Sequence, residues 1–367
     1  MQLRELRLFQ FRNVDQLQVS FSASANLFVG RNGQGKTNIL EAIYLLAYGK
    51  SFRTAVVRDC IQRGRDECVV AGIIGNGALE RELQVAVAKD EKKLMVHGKP
   101  VALAQFVGNL HMLAFASEHL GVVRGAPGER RAFLDRAMIA LFPGHLHHLA
   151  AYARALRQRN RLLAEVRDGT APRDGELLET WDEALIRNGL QILRNRTRYV
   201  QQLKEFLPAG VFGTERLTLH YLATVVAHGE DVPDDEAQFR ERLARVRRVD
   251  ERNGYTSVGP HRDDLKLFVN GMSLPDFGSA GQQRSCLLSL LFAQMEVHRK
   301  AHGVYPVFLV DDIEGELDDD RLRSFLDYLV DRTQTFMTTA KGRLVPAMPL
   351  GVRRFEVSAG RIVSVSS

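Results

Sequence analysis

The sequence has little of what marks a secreted or membrane-embedded protein. Its 367 residues contain only three cysteines, Cys60, Cys68 and Cys286, and their spacing fits neither a disulfide framework nor a metal motif. No apolar run reaches the roughly 18 residues of a transmembrane helix. The N-terminal stretch alternates and carries charge, unlike a signal peptide. We therefore expect a cytoplasmic protein with no membrane partner.

The composition is that of a soluble globular protein, with 45% hydrophobic and 26% charged residues. The net charge of +6 and the pI of about 9.3 permit nucleic-acid binding without requiring it. At this length we expect two domains, or one core that carries an insertion.

The most informative motif is Gly30–Thr37, in which two glycines five residues apart are followed by lysine and threonine. The apolar Asn26–Val29 precedes it and a helical run follows, so it has the strand–loop–helix setting of a phosphate-binding loop. Glycines let backbone N–H groups surround a phosphate, and the following helix points its N-terminus at the anion. We expect Lys36 to reach the terminal phosphates and Thr37 to bind Mg²⁺. A glycine-rich turn capped by threonine is the competing, less favoured interpretation. The predicted nucleotide contacts here are Gly30, Arg31, Asn32, Gly33, Gln34, Gly35, Lys36, Thr37 and Asn38.

A second candidate region is the apolar run Val307–Val310, which ends in Asp311 and Asp312. Buried parallel strands have such runs, and ligands bind at their carboxyl ends in open α/β sheets. We expect Asp311 to hold Mg²⁺ together with Thr37, and Asp312 to orient or deprotonate the attacking water. Taken alone, this sequence pattern would fit an ordinary core strand that ends in a solvated turn equally well. The upstream phosphate loop favours the nucleotide site.

Ser279–Arg284 opens the helix that precedes this strand. A serine and a glycine at a helix start can present a hydroxyl and N–H groups to phosphate, but they also make an ordinary N-cap. Its position is where ABC-type ATPases carry their signature sequence, and Gly315–Asp318 follows where they carry a D-loop.

The organisation along the chain predicts two lobes. Residues 1–126 and 254–367 alternate short strands, turns and helices, and we assign them to one discontinuous α/β lobe that holds the phosphate loop. Residues 127–253 are mostly amphipathic helix and form an inserted, mainly helical lobe.

These features together resemble the ABC-type ATPases of the SMC class, and within them the bacterial RecF family of recombination-repair proteins. The resemblance covers nearly the whole chain. The segments that carry it are Phe11–Asn13, Gly30–Ala42, Ser51–Arg53, Glu129–Asp135, Gly259–Asp264, Ser279–Arg284 and Asp311–Asp318.

The resemblance implies an ABC-type ATPase head, without long coiled-coil arms, that holds ATP between the two copies of a homodimer. Lys36, Thr37 and Asp311 of one copy would face the signature residues of the other. By analogy with SMC-class heads, two further residues would lie near the nucleotide. The residues assigned in this way are Ser279, Gly281 and Gln282 of the signature, Asp318 across the interface, and Arg12 and Asn13 beside the loop.

The resemblance also implies a function in recombinational repair. The ATP-bound dimer would clamp double-stranded DNA, or a single-to-double-strand junction at a gap, and slow DNA-stimulated hydrolysis would release it. RecO-like and RecR-like proteins would be its partners, and the complex would be nucleoid-associated. A transporter-type ABC subunit and a structural chromosome protein of the SMC class are the alternatives. The inserted lobe and the Gly259–Asp264 segment argue against the transporter.

Three weaker features of the sequence either fit a functional and a structural interpretation equally well or favour the structural one. The arginine-rich stretches at 154–161 and 194–198 fit DNA contact and a solvated helix face equally well. The trio His145, His147 and His148 lacks supporting ligands and predicts a surface helix. Thr338 and Thr339 stand where many transporter ATPases keep a switch histidine.

Overall fold

The computed structural model describes residues 1–77, 79–142, 144–171, 175–207, 216–226, 236–312, 325–329, 332–340 and 352–366. The described residues of Met1–Leu120 and Ser279–Ser367 form one compact unit, and those of Gly121–Leu207 and Arg216–Gly278 form another. No helix within these ranges is both long and apolar enough to span a bilayer.

Within its described residues the first unit contains two six-stranded sheets and several helices, together with the short 3₁₀ helices Val57–Cys60 and Ser117–Leu120. Its strands are β1 (Gln2–Phe11), β2 (Val14–Ser20), β3 (Ala25–Val29), β4 (Glu67–Asn76), β5 (Leu79–Ala88), β6 (Lys92–Val96), β7 (Lys99–Pro100), β8 (Met112–Phe115), β12 (Val307–Val310), β13 (Thr335–Thr339), β14 (Arg353–Ser358) and β15 (Arg361–Ser366). Its helices are α1 (Lys36–Tyr48), α2 (Leu103–Phe106) and α9 (Ala280–His302).

The sheet that positions the candidate site has the order β15-β14-β3-β13-β12-β8. All neighbours from β14 to β8 run parallel, and only the edge strand β15 is antiparallel. Every residue of β3, β12 and β13 is buried, as expected for parallel strands covered on both faces. The carboxyl ends of β3, β8, β12 and β13 therefore meet at one edge of the sheet.

The other sheet is fully antiparallel, with the order β2-β1-β4-β5-β6-β7. Helix α1 packs against strands of both sheets, and its Ile39, Leu40 and Ile43 are buried in the same core as Leu6 of β1 and Leu309 of β12. The helix that follows the phosphate loop is therefore fixed from two sides.

The second unit combines a helical core with a small antiparallel sheet. Its helices are α3 (Gly121–Arg124), α4 (Pro127–Leu141), α5 (His145–Arg167), α6 (Gly175–Phe206), α7 (Glu236–Asn253) and α8 (Leu274–Phe277), and its strands are β9 (Leu217–Leu222), β10 (Asp264–Val269) and β11 (Met272–Ser273). The unit extends to Gly278, whereas the predicted helical lobe ends at 253. Residues 254–278 belong to it because β10 pairs along its whole length with β9.

Buried ion pairs hold the second unit together. Arg159 is fully buried and donates to Asp182 and Asp250, and Arg196 donates through two nitrogens to Asp135. The prediction that these two arginines lie on a solvated or DNA-facing surface is wrong, because their guanidinium groups are already paired inside the core.

The Gly259–Asp264 segment belongs to the same buried network. Asp264 accepts two hydrogen bonds from Arg130, and the Asp263 carboxylate accepts from Tyr221 and Thr224. The expectation that His145 lies on a surface helix is also wrong, since this side chain is fully buried and contacts Asp135. The Gly259–Asp264 segment thus has a structural role in this unit.

We expect Arg159→Ala to lower the free energy of unfolding of the second unit by about 3–5 kcal/mol, because it leaves the buried Asp250 carboxylate without its cation. Arg161→Ala is the matched control. Arg161 is exposed and pairs with Glu165 one turn away, which contributes only about 0.3–0.5 kcal/mol. Urea unfolding followed by the fluorescence of Trp181, the single tryptophan, measures both changes. Equal stability of the two variants would contradict the proposed role of Arg159.

Candidate functional site

The phosphate loop joins β3 to α1 and needs glycine at specific positions. A Cβ on Gly30 would lie 2.3 Å from the Val357 carbonyl oxygen of β14. Gly33 and Gly35 adopt positive φ values of 78° and 108°, which favour glycine. Gly35 is also the N-cap of α1 and offers no side-chain acceptor, so no side chain of the N-cap residue covers the helix N-terminus, the end of a helix that attracts anions.

The Lys36 side chain folds back over this loop. Its Nζ donates to the Gly30 carbonyl at 2.6 Å and to the Arg31 carbonyl at 3.0 Å, and the side chain is almost fully buried. The ammonium group is therefore held at the centre of the loop, where it can meet a phosphate.

Asp311 is held at the carboxyl end of β12 by two hydroxyl groups. Its Oδ1 accepts from Thr37 Oγ1 at 3.0 Å and from Thr338 Oγ1 at 2.7 Å. The Thr338 hydroxyl oxygen also accepts from the backbone N–H of Asp312 at 2.8 Å. The predicted pair Thr37 and Asp311 thus lies in direct contact, and Thr338 connects it to the next strand.

The electrostatics of this carboxylate favour a cation. Burial raises the pKa of Asp311, and the charges of Glu118 and Asp312 raise it further, while the two threonine hydrogen bonds oppose the shift. A hard divalent ion bound to carboxylate and hydroxyl oxygens would relieve this cost, so the donor set fits Mg²⁺.

Asn13 and Asn38 brace the loop through their side chains. Asn38 Nδ2 donates to Asn13 Oδ1 at 2.7 Å, and Asn13 Nδ2 donates to the Gln34 carbonyl at 3.3 Å. Gln34 is fixed in turn by the backbone N–H groups of Ala359 and Gly360. Arg31 and Asn32, at the tip of the loop, are exposed.

The Arg12 guanidinium points to a different partner. It donates to both oxygens of Glu41 in α1, at 2.9 and 2.6 Å, and Glu41 is fully buried. Within this structure Arg12 neutralises a buried carboxylate, while the adjacent Asn13 makes the contact with the loop.

Ser279 forms the N-cap of α9 with a reciprocal capping box. Its Oγ accepts from the Gln282 backbone N–H, and its own N–H donates to Gln282 Oε1 at 2.8 Å. Ser279 is exposed and Gly281 lies in the first turn, so this helix start is open to an approaching ligand. Asp318 and Gly315 lie outside the described residues.

Comparison with known proteins gives consistent matches along the chain. The RecF/RecN/SMC N terminal domain matches residues 2–360. The DNA replication and repair protein RecF of Listeria monocytogenes serotype 4b (strain CLIP80459) is 36% identical over 345 residues, which cover 92% of this chain and 93% of that one. The RecF protein of Halothermothrix orenii (strain H 168) is also 36% identical, with 92% of each chain covered. The chain belongs to the RecF family.

Solved structures support the same assignment. The structure of the recombination mediator protein RecF-ATP in the RecFOR pathway has a TM-score of 0.89 at 27% identity, covering 99% of this chain and 96% of that one. The corresponding RecF-ATPrS structure has a TM-score of 0.87 at 28% identity, covering 98% of this chain and 97% of that one. An SMC head bound to the C-winged helix domain of ScpA has a TM-score of 0.58 at 15% identity and shows the fold alone. The predicted ABC-type ATPase head is confirmed.

Two residues of this RecF-family site were not assigned a role from the sequence. Thr338 supports Asp311, and Glu118 lies close enough for its charge to act on the same carboxylate. Both follow from the strand order, because β8 and β13 flank β12 and end at the same edge. In the sequence, both residues could have been found as polar residues at or just after the ends of the apolar strands β8 and β13.

We expect Arg12→Met to destabilise the first unit by about 2 kcal/mol, because Glu41 loses its two charged hydrogen bonds in a buried position. Hydrogen exchange of the α1 amides measures this change, with the exposed Arg58→Met as control. If Arg12 acted only on a ligand, α1 protection would remain at the wild-type level in the ligand-free protein.

Proposed function

We propose that this RecF-family protein is an ATP-dependent DNA clamp of recombinational repair and a slow, DNA-stimulated ATPase. The observation that carries the proposal is the contact of Thr37 with Asp311 beside the Lys36-centred loop. A phosphate cradle and a cation site are thereby adjacent at the carboxyl edge of a parallel sheet, where nucleotides bind in such folds.

ATP would occupy the loop Gly30–Asn38, with its phosphates on the α1 N-terminus. Lys36 Nζ would exchange the Gly30 and Arg31 carbonyls for the terminal phosphate oxygens. Mg²⁺, held by Thr37 and Asp311, would neutralise phosphate charge. The RecF structures solved with ATP and ATPrS share this fold over nearly the whole chain, which supports ATP as the ligand.

A second copy of the chain would complete the site. Ser279, which is exposed, and the half-buried Gly281 and Gln282 form a helix start that would donate to phosphate. Asp318 would contribute across the same interface. ATP would then join two protomers, and its γ-phosphate would be required for the homodimer.

Hydrolysis would depend on Asp312 and Lys36. Asp312 is exposed and fixed through its backbone N–H by Thr338, so its carboxylate can orient or deprotonate a water beside the terminal phosphate. Lys36 would stabilise the charge that develops on the transferred phosphoryl group.

The ATP-bound dimer would hold double-stranded DNA or a single-to-double-strand junction at a gap. The net charge of +6 favours phosphate-backbone contacts, which are independent of sequence and sensitive to salt. RecO-like and RecR-like proteins would be its partners in the cytoplasm, at the nucleoid. Both solved RecF relatives are described as recombination mediators in the RecFOR pathway, which supports this assignment.

Sedimentation of the protein with ATP, with ADP and without nucleotide, each with and without duplex DNA, tests the proposal. We expect a dimer only with ATP, and DNA retention that follows the dimer. Lys36→Met should abolish both ATP binding and dimerisation. Ser279→Arg should retain ATP binding by the monomer but block the dimer. Wild-type ATP affinity in Lys36→Met would refute the nucleotide site, and an ATP dimer in Ser279→Arg would refute the shared site.

The pH dependence of Mg²⁺–ATP binding provides a second test. Only the ionised Asp311 binds the metal ion well, so affinity should fall as the pH falls through its raised pKa. The Thr338 hydrogen bond lowers that pKa, so Thr338→Val should move the fall in affinity to higher pH. Thr335→Val, at the opposite end of β13, is the control and should keep the wild-type profile. An unshifted profile in Thr338→Val would remove Thr338 from the site.

A further inference from the structure

Three histidines of the first unit meet at a place that the proposed nucleotide site does not use. His111 directly precedes β8, and His298 and His302 lie in the last turns of α9. One ring nitrogen from each lies within 4.8 Å of the others. We call this group the histidine cluster. Within the part of the chain that the structure describes, it is the one group of three side chains whose ligand atoms converge in this way.

Backbone hydrogen bonds orient two of these rings. His298 Nδ1 lies 2.8 Å from the Val304 carbonyl oxygen, to which it donates its proton. His111 is hydrogen-bonded to the Gly108 backbone. The other nitrogen of His298, Nε2, faces His111 Nδ1 in direct contact.

The facing nitrogens of His111 and His298 have little access to water, because His298 is buried and His111 is half-buried. Buried polar atoms need a partner to offset the loss of hydration. A metal ion bound by both rings and by His302 would provide one.

His302 provides the third nitrogen. It follows His298 by four residues, so the two rings project from the same face of α9, and it is exposed at the rim of the cluster. Two histidines at this spacing on one helix commonly bind a single metal ion.

We propose that His111, His298 and His302 bind one divalent transition-metal ion, with Zn²⁺ as the best match. Three neutral imidazoles without a carboxylate suit zinc, copper or nickel far better than Mg²⁺ or Ca²⁺. Carbonyl-bound second nitrogens are the usual arrangement around a zinc-binding histidine. The exposed side of His302 leaves a fourth position for water, as tetrahedral coordination requires.

The site would have a structural role. The Val307 N–H donates to the His111 carbonyl at 2.9 Å, so the metal ion would tie the end of α9 to the beginnings of β8 and β12. Ser279 is the N-cap of helix α9, and β12 leads directly to Asp311. The ion would thus fix one end of the two elements whose other ends carry proposed nucleotide contacts.

Titration of chelator-treated full-length protein with Zn²⁺, followed by calorimetry, tests the proposal. We expect one equivalent of Zn²⁺ to bind. His302→Ala should weaken Zn²⁺ binding by about a hundredfold, because removal of a ligand should cost at least as much as removal of a residue that only supports a ligand, which costs up to about a hundredfold. His220→Ala, which removes an exposed histidine on β9, is the control and should bind as the wild type does. Because His302 is exposed at a helix end, its replacement should leave the fold intact.

Co²⁺ provides an independent measurement, because its tetrahedral complexes absorb strongly in the visible range. A tetrahedral Co²⁺ spectrum in the wild type that is lost in His302→Ala supports the site. Absence of stoichiometric Zn²⁺ binding at micromolar concentration, or unchanged binding in His302→Ala, overturns it. ATP binding by His302→Ala should equal that of the wild type, so failure here is distinguishable from failure of the proposed nucleotide site.

Discussion

The geometry of the proposed nucleotide site depends on one half-buried carboxylate. Asp311 accepts hydrogen bonds from Thr37 at the start of α1 and from Thr338 at the end of β13, and it lies at the end of β12 itself. Three elements that are distant in sequence therefore meet at one atom, Asp311 Oδ1. Burial makes this carboxylate costly to ionise, so the arrangement is poised for a cation. The parallel sheet and the loop that precedes α1 together hold this point.

Much of this site could be predicted from the sequence, because its chemistry depends on local spacing. The glycines of the loop, Lys36 and Thr37 are close neighbours, and a fully apolar strand that ends in acids marks Asp311. The hydrogen bond between Thr37 and Asp311 spans 274 positions in the chain, yet it follows once both segments are placed at the carboxyl edge of one parallel sheet. The capping box at Ser279 was equally visible as a serine three residues before a glutamine.

What could not be predicted depends on which charges are buried. Arg159 and Arg196 lie in helical stretches that look like solvated basic faces, but each faces acids contributed by other segments of the second unit. The pairing of β10 with β9 likewise joins segments separated by a whole helix, which moves residues 254–278 out of the predicted ATPase lobe. The orientation of the His298 ring depends on a carbonyl partner, Val304, that no spacing rule identifies. In the first two cases the structure depends on a contact between residues that are distant in sequence. The hydrophobic periodicity within one segment does not predict such a contact.

The position of Lys36 has a consequence for how the loop selects its ligand. In the free protein two carbonyl oxygens already solvate the ammonium group, so an incoming anion gains only the difference between its own contacts and these. A ligand with a single weakly basic oxygen gains little from this exchange, whereas a chain of phosphates can contact the lysine, the helix N-terminus and a bound cation together. In the proposed nucleotide site, the carbonyls of Gly30 and Arg31 would therefore favour the binding of polyphosphates over that of small anions.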